Sequence, residues 1–249
     1  SERYSALVLD ARNGNVLIAA NADEQRYPAS LTKMMTLYML FEALRDGRVQ
    51  LSTPIRMSEE AASRPPSKLG LRPGSTLTAE QAIYALVTKS ANDVASAVGE
   101  HLGGDEERFA QLMTLRARAI GMTRTTFRNA SGLPDPNNVT TARDMATLGL
   151  RLIRDFPNRY HYFGTVQFAW GRQMIRNHNR MVGDYEGADG IKTGFIRDSG
   201  FNIVTSAMRD GVRLVGVTMG GASWVERDRH MGALLDQGLL HGDALNFTG

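Results

Sequence analysis

The hydrophobic period of this chain changes twice, and that change restricts the architecture more than any other feature. Strand-type apolar runs occupy residues 4–20 around Arg12-Asn13-Gly14, an Asn-Gly pair that readily supplies the positive φ angles of a tight hairpin. Strand-type runs return only after Gly164, at 165–170, 201–208 and 212–219, with Asp210-Gly211 as the turn between the last two. Between them helical spacing dominates. Leu31, Met34, Met35, Leu37, Tyr38, Leu40, Phe41 and Leu44 predict a largely buried helix that starts beside Ser30 and stops near Gly47. Farther on, Thr78 and Gln81 form a capping box, Asp105 and Thr141 each open a helix, and Ser223 with Glu226 caps a last one. Pro65-Pro66 and residues 131–138 are loops, because their prolines and glycine break both periods.

Strands at both ends and helices between them predict an α+β fold. An antiparallel sheet is formed by both termini and covered by the first and last helices, with a mainly helical lobe inserted. The expected organisation is one domain over residues 1–249, with a sheet lobe from 1–47 and 161–249 and a helical lobe over 48–160. A functional cleft between the lobes follows.

Composition narrows the chemistry. With 249 residues, 42% hydrophobic and 22% charged, the chain buries a full core. No window reaches the ~18 uninterrupted apolar residues of a membrane span; even 34–44 is broken by Thr36 and Glu42. The absence of cysteine excludes disulfides, thiol nucleophiles and thiolate metal sites. A net charge of +3 with arginines dispersed along the chain argues against nucleic acid as a partner. His101, His161, His178, His230 and His241 show no zinc-type spacing, so no metal is expected. The triplets at Asn129, Asn138 and Asn246 match the glycosylation pattern but are common by accident. A start at Ser1 without a basic-then-apolar leader fits a processed or trimmed chain.

Three short motifs carry the chemistry. In Ser30-Leu31-Thr32-Lys33 the hydroxyl and the amine are one helical turn apart, the arrangement in which an amine serves as base for a serine nucleophile. A cation is disfavoured in the first turn of a helix, which favours the neutral amine such a base requires. Ser90-Ala91-Asn92 follows the helix that begins at Thr78, and taken alone reads equally well as a helix cap. Lys192-Thr193-Gly194 is the most specific of the three, and its glycine lets a peptide approach a strand closely. Bringing Lys192 beside Lys33 would push one of the two amines toward neutrality. Lysine occurs only four times, at 33, 68, 89 and 192, so half of the lysines fall in motifs.

The order S-x-x-K, S-x-N, K-T-G resembles that of penicillin-binding proteins. The longer words Pro28-Ala29-Ser30-Leu31-Thr32-Lys33-Met34-Met35-Thr36, Lys89-Ser90-Ala91-Asn92-Asp93-Val94-Ala95, Thr141-Ala142-Arg143-Asp144-Met145-Ala146 and Asp189-Gly190-Ile191-Lys192-Thr193-Gly194 extend the likeness. The chain resembles the low-molecular-mass D-alanyl-D-alanine carboxypeptidases over nearly its whole length. That resemblance implies the β-lactamase/transpeptidase-like fold and a serine hydrolase that removes the terminal D-alanine from peptidoglycan stem peptides through an acyl-enzyme. It also implies acylation by β-lactams, no cofactor and an extracytoplasmic location. Residue by residue it implies Ser30 as nucleophile, Lys33 as its base, Ser90 as proton relay and Lys192 completing a positive pocket. Asn92 would bind the substrate amide, with Thr193 and Gly194 beside it. The backbone N–H groups of Ser30 and Phe195 would form the oxyanion hole, and Arg227 would hold the terminal carboxylate. Phe195 departs from the histidine often found after K-T-G, but a main-chain donor does not depend on the side chain. Relatives often carry a C-terminal β domain and an amphipathic anchor, so peripheral membrane attachment belongs to a longer form. The rivals are a D,D-endopeptidase with the same residues and a non-catalytic wall-binding or β-lactam-sensing module. A class A β-lactamase fits less well, since residues 125–138 hold no glutamate for deacylation.

Overall fold

A computed structural model describes residues 2–248, with side chains through residue 240, so His241 and the triplet at Asn246 lie outside the described side chains. Strands β1 (Ser5–Asp10) and β2 (Val16–Ala20) form the first hairpin, and a 3-10 turn at Ala29–Leu31 leads into α1 (Thr32–Arg45). The middle contains β3 (Pro54–Arg56), α2 (Glu59–Ala62), β4 (Thr76–Thr78), α3 (Ala79–Thr88), α4 (Asn92–Gly103), α5 (Glu106–Ala119) and α6 (Ala142–Asp155). After these come the hairpin β5 (Gln167–Trp170) and β6 (Gln173–Arg176), the short turn α7 (Met181–Asp184), the meander β7 (Ala188–Ile196), β8 (Gly200–Arg209) and β9 (Val212–Gly221), and α8 (Trp224–Thr248).

The two ends of the chain meet as expected. The main sheet has the order β2-β1-β9-β8-β7, and antiparallel pairing of β1 with β9, from Ser5 with Met219 to Asp10 with Leu214, joins the first hairpin to the last meander. Asp210 (φ 51°) and Gly211 (φ 78°) both take the left-handed conformation, which gives the hairpin twist between β8 and β9. The first hairpin turns differently from the tight Asn-Gly expectation. Only Gly14 has positive φ, and the loop is wider because the Asp10 carboxylate pairs with Arg12 at 2.8 Å and the Asn13 side chain accepts from the Asn15 N–H at 2.9 Å.

Both faces of the sheet are covered, so its strands are nearly continuous in apolar character. Leu7 and Leu9 of β1 enter the larger core, whereas Ala6 and Val8 enter a second cluster beneath α8 with Leu214, Met231 and Leu235. The covering of the first face departs from expectation. It is α6, assigned from sequence to the inserted lobe, that lies on β9, β1 and β8, while α1 runs through the centre between α6 and the helices α3, α4 and α5. The cause is local. A Cβ at Gly149 of α6 would stand 3.1 Å from Val215 and 3.3 Å from both Ile191 and Val204, so the glycine permits that approach, whereas α1 is buried around almost its whole circumference and suits a central position.

The expected caps at Thr78, Asp105 and Thr141 form, the first as a full reciprocal box with Gln81. At Ser223 only half of the box is made: its Oγ accepts from the Glu226 N–H at 3.1 Å. The strands β3, β4 and β6 were not expected from the sequence, being short and mostly polar or exposed, with their pairing set by partners and not by period.

Candidate active site

The turn that carries Ser30 is gripped from three sides. From β8, the Asn202 amide donates to the Tyr27 carbonyl at 2.9 Å and the Pro28 carbonyl at 3.3 Å. From β7, Gly194 leaves room: a Cβ there would stand 2.8 Å from the Ser30 nitrogen. From the loop 128–138, Gly132 (φ 88°) approaches so closely that a Cβ would overlap the Ala29 carbonyl oxygen. Ala29 itself is left-handed at φ 50°, as is Ser90 at φ 57°, and strained backbone of this kind persists only where the surroundings over-determine it.

Lys33 is fully buried, not the surface partner that an isolated S-x-x-K would allow. Its Nζ lies 2.9 Å from Ser30 Oγ, 2.7 Å from Asn92 Oδ1 and 2.8 Å from the Ser131 carbonyl oxygen. Burial, then the charge of Lys192, hold this amine well below the usual lysine range, against a weaker upward pull from Asp93. Asp93 acts on the amine through its charge and not through a hydrogen bond, its carboxylate accepting from the N–H groups of Leu69 at 2.9 Å, Gly70 at 2.8 Å and Val94 at 2.9 Å. A neutral amine has two N–H donors and one lone pair. The amide oxygen of Asn92 and the carbonyl of Ser131 are obligate acceptors and take both donors, which leaves the lone pair facing the one partner able to donate, the Ser30 hydroxyl. This is the arrangement of a general base beside its nucleophile.

Lys192 is buried on β7, donates to the Thr193 carbonyl at 3.0 Å, and is pushed down to about 7 by burial and then by Arg227. Lys192 is near enough to Lys33 for its charge to hold that amine down. A stability consequence follows with a definite sign. Folded Lys192 titrates near 7 and unfolded lysine near 10.4, so between these values the unfolded chain binds more protons and the unfolding free energy rises with pH. Urea unfolding at pH 7 and pH 9 is expected to show greater stability at pH 9, with a smaller gain in Lys192→Met; an equal gain in the variant would contradict the assignment.

Asn92 lines the cleft and also holds the amine. Its Oδ1 accepts from Lys33 and its Nδ2 donates to the Pro65 carbonyl at 2.9 Å, so both polar ends are engaged by the protein and it acts here to position the amine. The cap reading of S-x-N fails: Ala91 is the residue preceding α4, and no side chain caps that helix. Ser90 lines the cleft, yet its Oγ has no partner among the described residues, so no direct bond links it to Ser30 or either lysine. Thr193, Gly194 and Phe195 line the same cleft, with the Phe195 ring exposed and stacked on Phe201 at 4.3 Å. Arg227 is largely buried, its Nε donating to Asp228 at 2.9 Å, and it borders the cleft beside Lys192. The cleft encloses about 630 Å³.

Sequence reasoning missed the Ser131 carbonyl, Asp93, His178, Arg180 and Arg197. A backbone acceptor has no side-chain signature. The two described glycosylation-like triplets were a usable signal, since Asn129 Oδ1 accepts from the Gly132 N–H at 2.7 Å, and buried Asn138 donates to Thr32 at 3.1 Å and accepts from the Arg128 N–H at 2.8 Å. They shape the loop that delivers Ser131.

With this geometry in place, comparison with known proteins is decisive. A family model described as D-alanyl-D-alanine carboxypeptidase matches residues 2–223. The chain belongs to this family. Among its relatives, the D-alanyl-D-alanine carboxypeptidase DacF of Bacillus subtilis is 31% identical over 94% of this chain, and DacC of Escherichia coli 34% identical over 86%. The match spans 61% and 55% of the length of those two proteins. The crystal structure of penicillin binding protein 5 from Haemophilus influenzae superposes with a TM-score of 0.91 at 32% identity, covering 95% of this chain and 70% of that one. Penicillin-Binding Protein D2 from Listeria monocytogenes, in its cefotaxime-bound form, gives 0.86 at 27% identity, covering 94% and 96%. The antiparallel sheet flanked by helices is therefore the fold of the D-alanyl-D-alanine carboxypeptidases, as the resemblance implied.

Proposed function

We propose that this family member is a serine-type D-Ala-D-Ala carboxypeptidase that removes the terminal D-alanine from peptidoglycan stem peptides. The observation that carries the reading is the buried Lys33 amine, 2.9 Å from Ser30 Oγ and held at 2.7 and 2.8 Å by the Asn92 and Ser131 oxygens. In this mechanism Ser30 Oγ attacks the carbonyl of the penultimate D-alanine and its proton passes to Lys33 Nζ. The oxyanion forms against the Ser30 and Phe195 N–H groups. Collapse breaks the peptide bond, and the proton moves to the departing D-alanine amine with Ser90 as relay. Water, deprotonated at the same amine, then hydrolyses the ester. Arg227 receives the terminal carboxylate, and Lys192, Thr193 and Gly194 line the strand against which the peptide lies. A β-lactam meets the same nucleophile, but ring opening leaves no departing group, so an ester at Ser30 accumulates; the bound cefotaxime of the Listeria relative supports this extension.

We read the chain as one catalytic domain whose sheet and helical lobes meet at the cleft. Action on peptidoglycan implies a location outside the cytoplasm; no described helix is long and apolar enough to cross a membrane. The test is incubation with a D-Ala-D-Ala-terminated peptide followed by mass analysis. Loss of one D-alanine is expected, together with a penicillin adduct on the wild type that Ser30→Ala does not form. An adduct of unchanged yield on that variant would exclude Ser30 as the nucleophile.

A further inference from the structure

Two loops enclose the contacts of the Lys33 amine, and each is fastened to a different helix. The first, residues 64–70, is bound to the start of α4. The Pro65 carbonyl accepts from Asn92 Nδ2 at 2.9 Å, the Ser67 carbonyl accepts from the Asn92 N–H at 2.8 Å, and the Leu69 and Gly70 N–H groups donate to Asp93. The second, residues 128–138, is bound to α1, where the Ala130 carbonyl accepts from Thr36 Oγ1 at 2.7 Å and the Ser131 carbonyl from Lys33.

A single carboxylate spans them. Glu106, in the first turn of α5, accepts from Arg64 Nη2 at 3.1 Å on one oxygen and from the Ala130 N–H at 3.1 Å on the other. Its side chain is only 11% exposed and that of Arg64 25%, so solvent screens the pair less than it screens a surface bridge. Arg64 is oriented further by Ser96, whose buried hydroxyl accepts from its Nε at 3.0 Å, and it touches the exposed Glu60 at 3.3 Å. The seat of Glu106 is also fixed. Gly99 of α4 admits both neighbours, since a Cβ there would stand 2.9 Å from the Phe109 ring of α5 and 3.3 Å from the Ala130 Cβ. Exposed amides at the start of α5 favour a carboxylate in its first turn. Arg64, Ser96 and Glu106 themselves do not line the cleft.

We propose that Glu106 is a positioning residue for the Lys33 amine: with Arg64 on one oxygen and the Ala130 N–H on the other, it fixes the spacing of the Pro65 and Ser131 carbonyls and keeps water from the amine. Pro65 orients Asn92, and Asn92 and Ser131 supply the two oxygens that hold Nζ. Withdrawal of either loop lengthens one of those contacts and hydrates a group whose neutral form depends first on burial. The ionisable groups that act on Lys33 are Lys192 of β7 and Asp93 of α4, with His178 facing the same two lysines; Arg64 and Glu106 are not among them. Their influence therefore runs through geometry and not through charge at a distance. The inference rests on the reading of Lys33 as base and names what holds that base in place.

The test is the pH dependence of Ser30 acylation with penicillin in excess, for the wild type, Glu106→Gln, Arg64→Met and, as control, Glu107→Gln, which removes an exposed carboxylate of the same helix. Under these conditions the rate constant reports on folded molecules alone, so a partly unfolded variant gives a smaller amplitude at the same rate. Both Glu106→Gln and Arg64→Met are expected to raise the pH of half-maximal acylation by about half a unit or more, because a hydrated amine holds its proton more firmly. Half a unit lowers the rate on the acid side about threefold. Arg64→Lys keeps the charge but not the fork that reaches Ser96 and Glu106 together, and it falls between these variants and the wild type. The control follows the wild type. The sign separates geometry from charge: by charge alone, loss of the Glu106 carboxylate would lower the midpoint and loss of the Arg64 guanidinium would raise it. Opposite shifts, or midpoints unmoved in both variants, overturn the inference while leaving the carboxypeptidase intact. A wild type that forms no adduct removes the reading of Ser30 and Lys33, and the inference with it.

Discussion

Replacing Lys33 with methionine is expected to slow acylation of Ser30 by about a thousandfold or more, within the range that loss of a positioned general base produces. Methionine fills the space of the lysine stem without strain, so the core around α1 survives and the loss is one of chemistry. Lys33→Arg would not restore the rate, because guanidinium stays protonated at any accessible pH and offers no lone pair. The number of partners around the amine sets this expectation. Asn92 and Ser131 consume the two N–H groups of the neutral amine at 2.7 and 2.8 Å, and only the 2.9 Å contact with Ser30 remains for proton transfer. The rate of the covalent penicillin adduct, followed by mass, is the direct measurement; a rate close to that of the wild type for Lys33→Met would exclude the amine as base.

Gly132→Ala is expected to destabilise the protein by roughly 3 kcal/mol or more and to lower acylation with it. Left-handed backbone at φ 88° costs a non-glycine residue about 1–2 kcal/mol, and the added Cβ collides with the Ala29 carbonyl oxygen, a backbone atom that cannot rotate away. Relief requires the loop to withdraw, and the same loop carries the Ser131 carbonyl that orients Lys33. Gly104 is the internal control. It has the same φ of 88° with nothing within 4 Å of the new Cβ, so Gly104→Ala is expected to show the conformational cost alone and normal acylation. Urea unfolding and adduct rates on the two variants separate strain from collision, and equal effects at both sites would contradict the collision.

Much of the scaffold was legible because its causes are local. The caps at Thr78, Asp105 and Thr141 act over three residues, and the Asp210-Gly211 turn over two. The central place of α1 and the covering role of α6 were not legible, since an apolar helix carries no mark of which surface it will cover; the small Gly149 on α6 decides it through neighbours on three different strands. At the site, the motifs identified Ser30, Lys33, Ser90, Asn92 and Lys192 as a group, but not that Asn92 is occupied by Lys33 and Pro65 or that Ser90 Oγ has no partner among the described residues.

The sequence by itself determined the elements, their order and the inventory of reactive groups, because period, capping and turn chemistry act between residues a few positions apart. Only the tertiary structure decided that the amine is a base. Its partners Asn92 and Ser131 lie 59 and 98 residues away along the chain, and its depressed affinity for a proton comes from burial and from a second amine on strand β7. Desolvation is a property of everything packed around a group, and no motif records it.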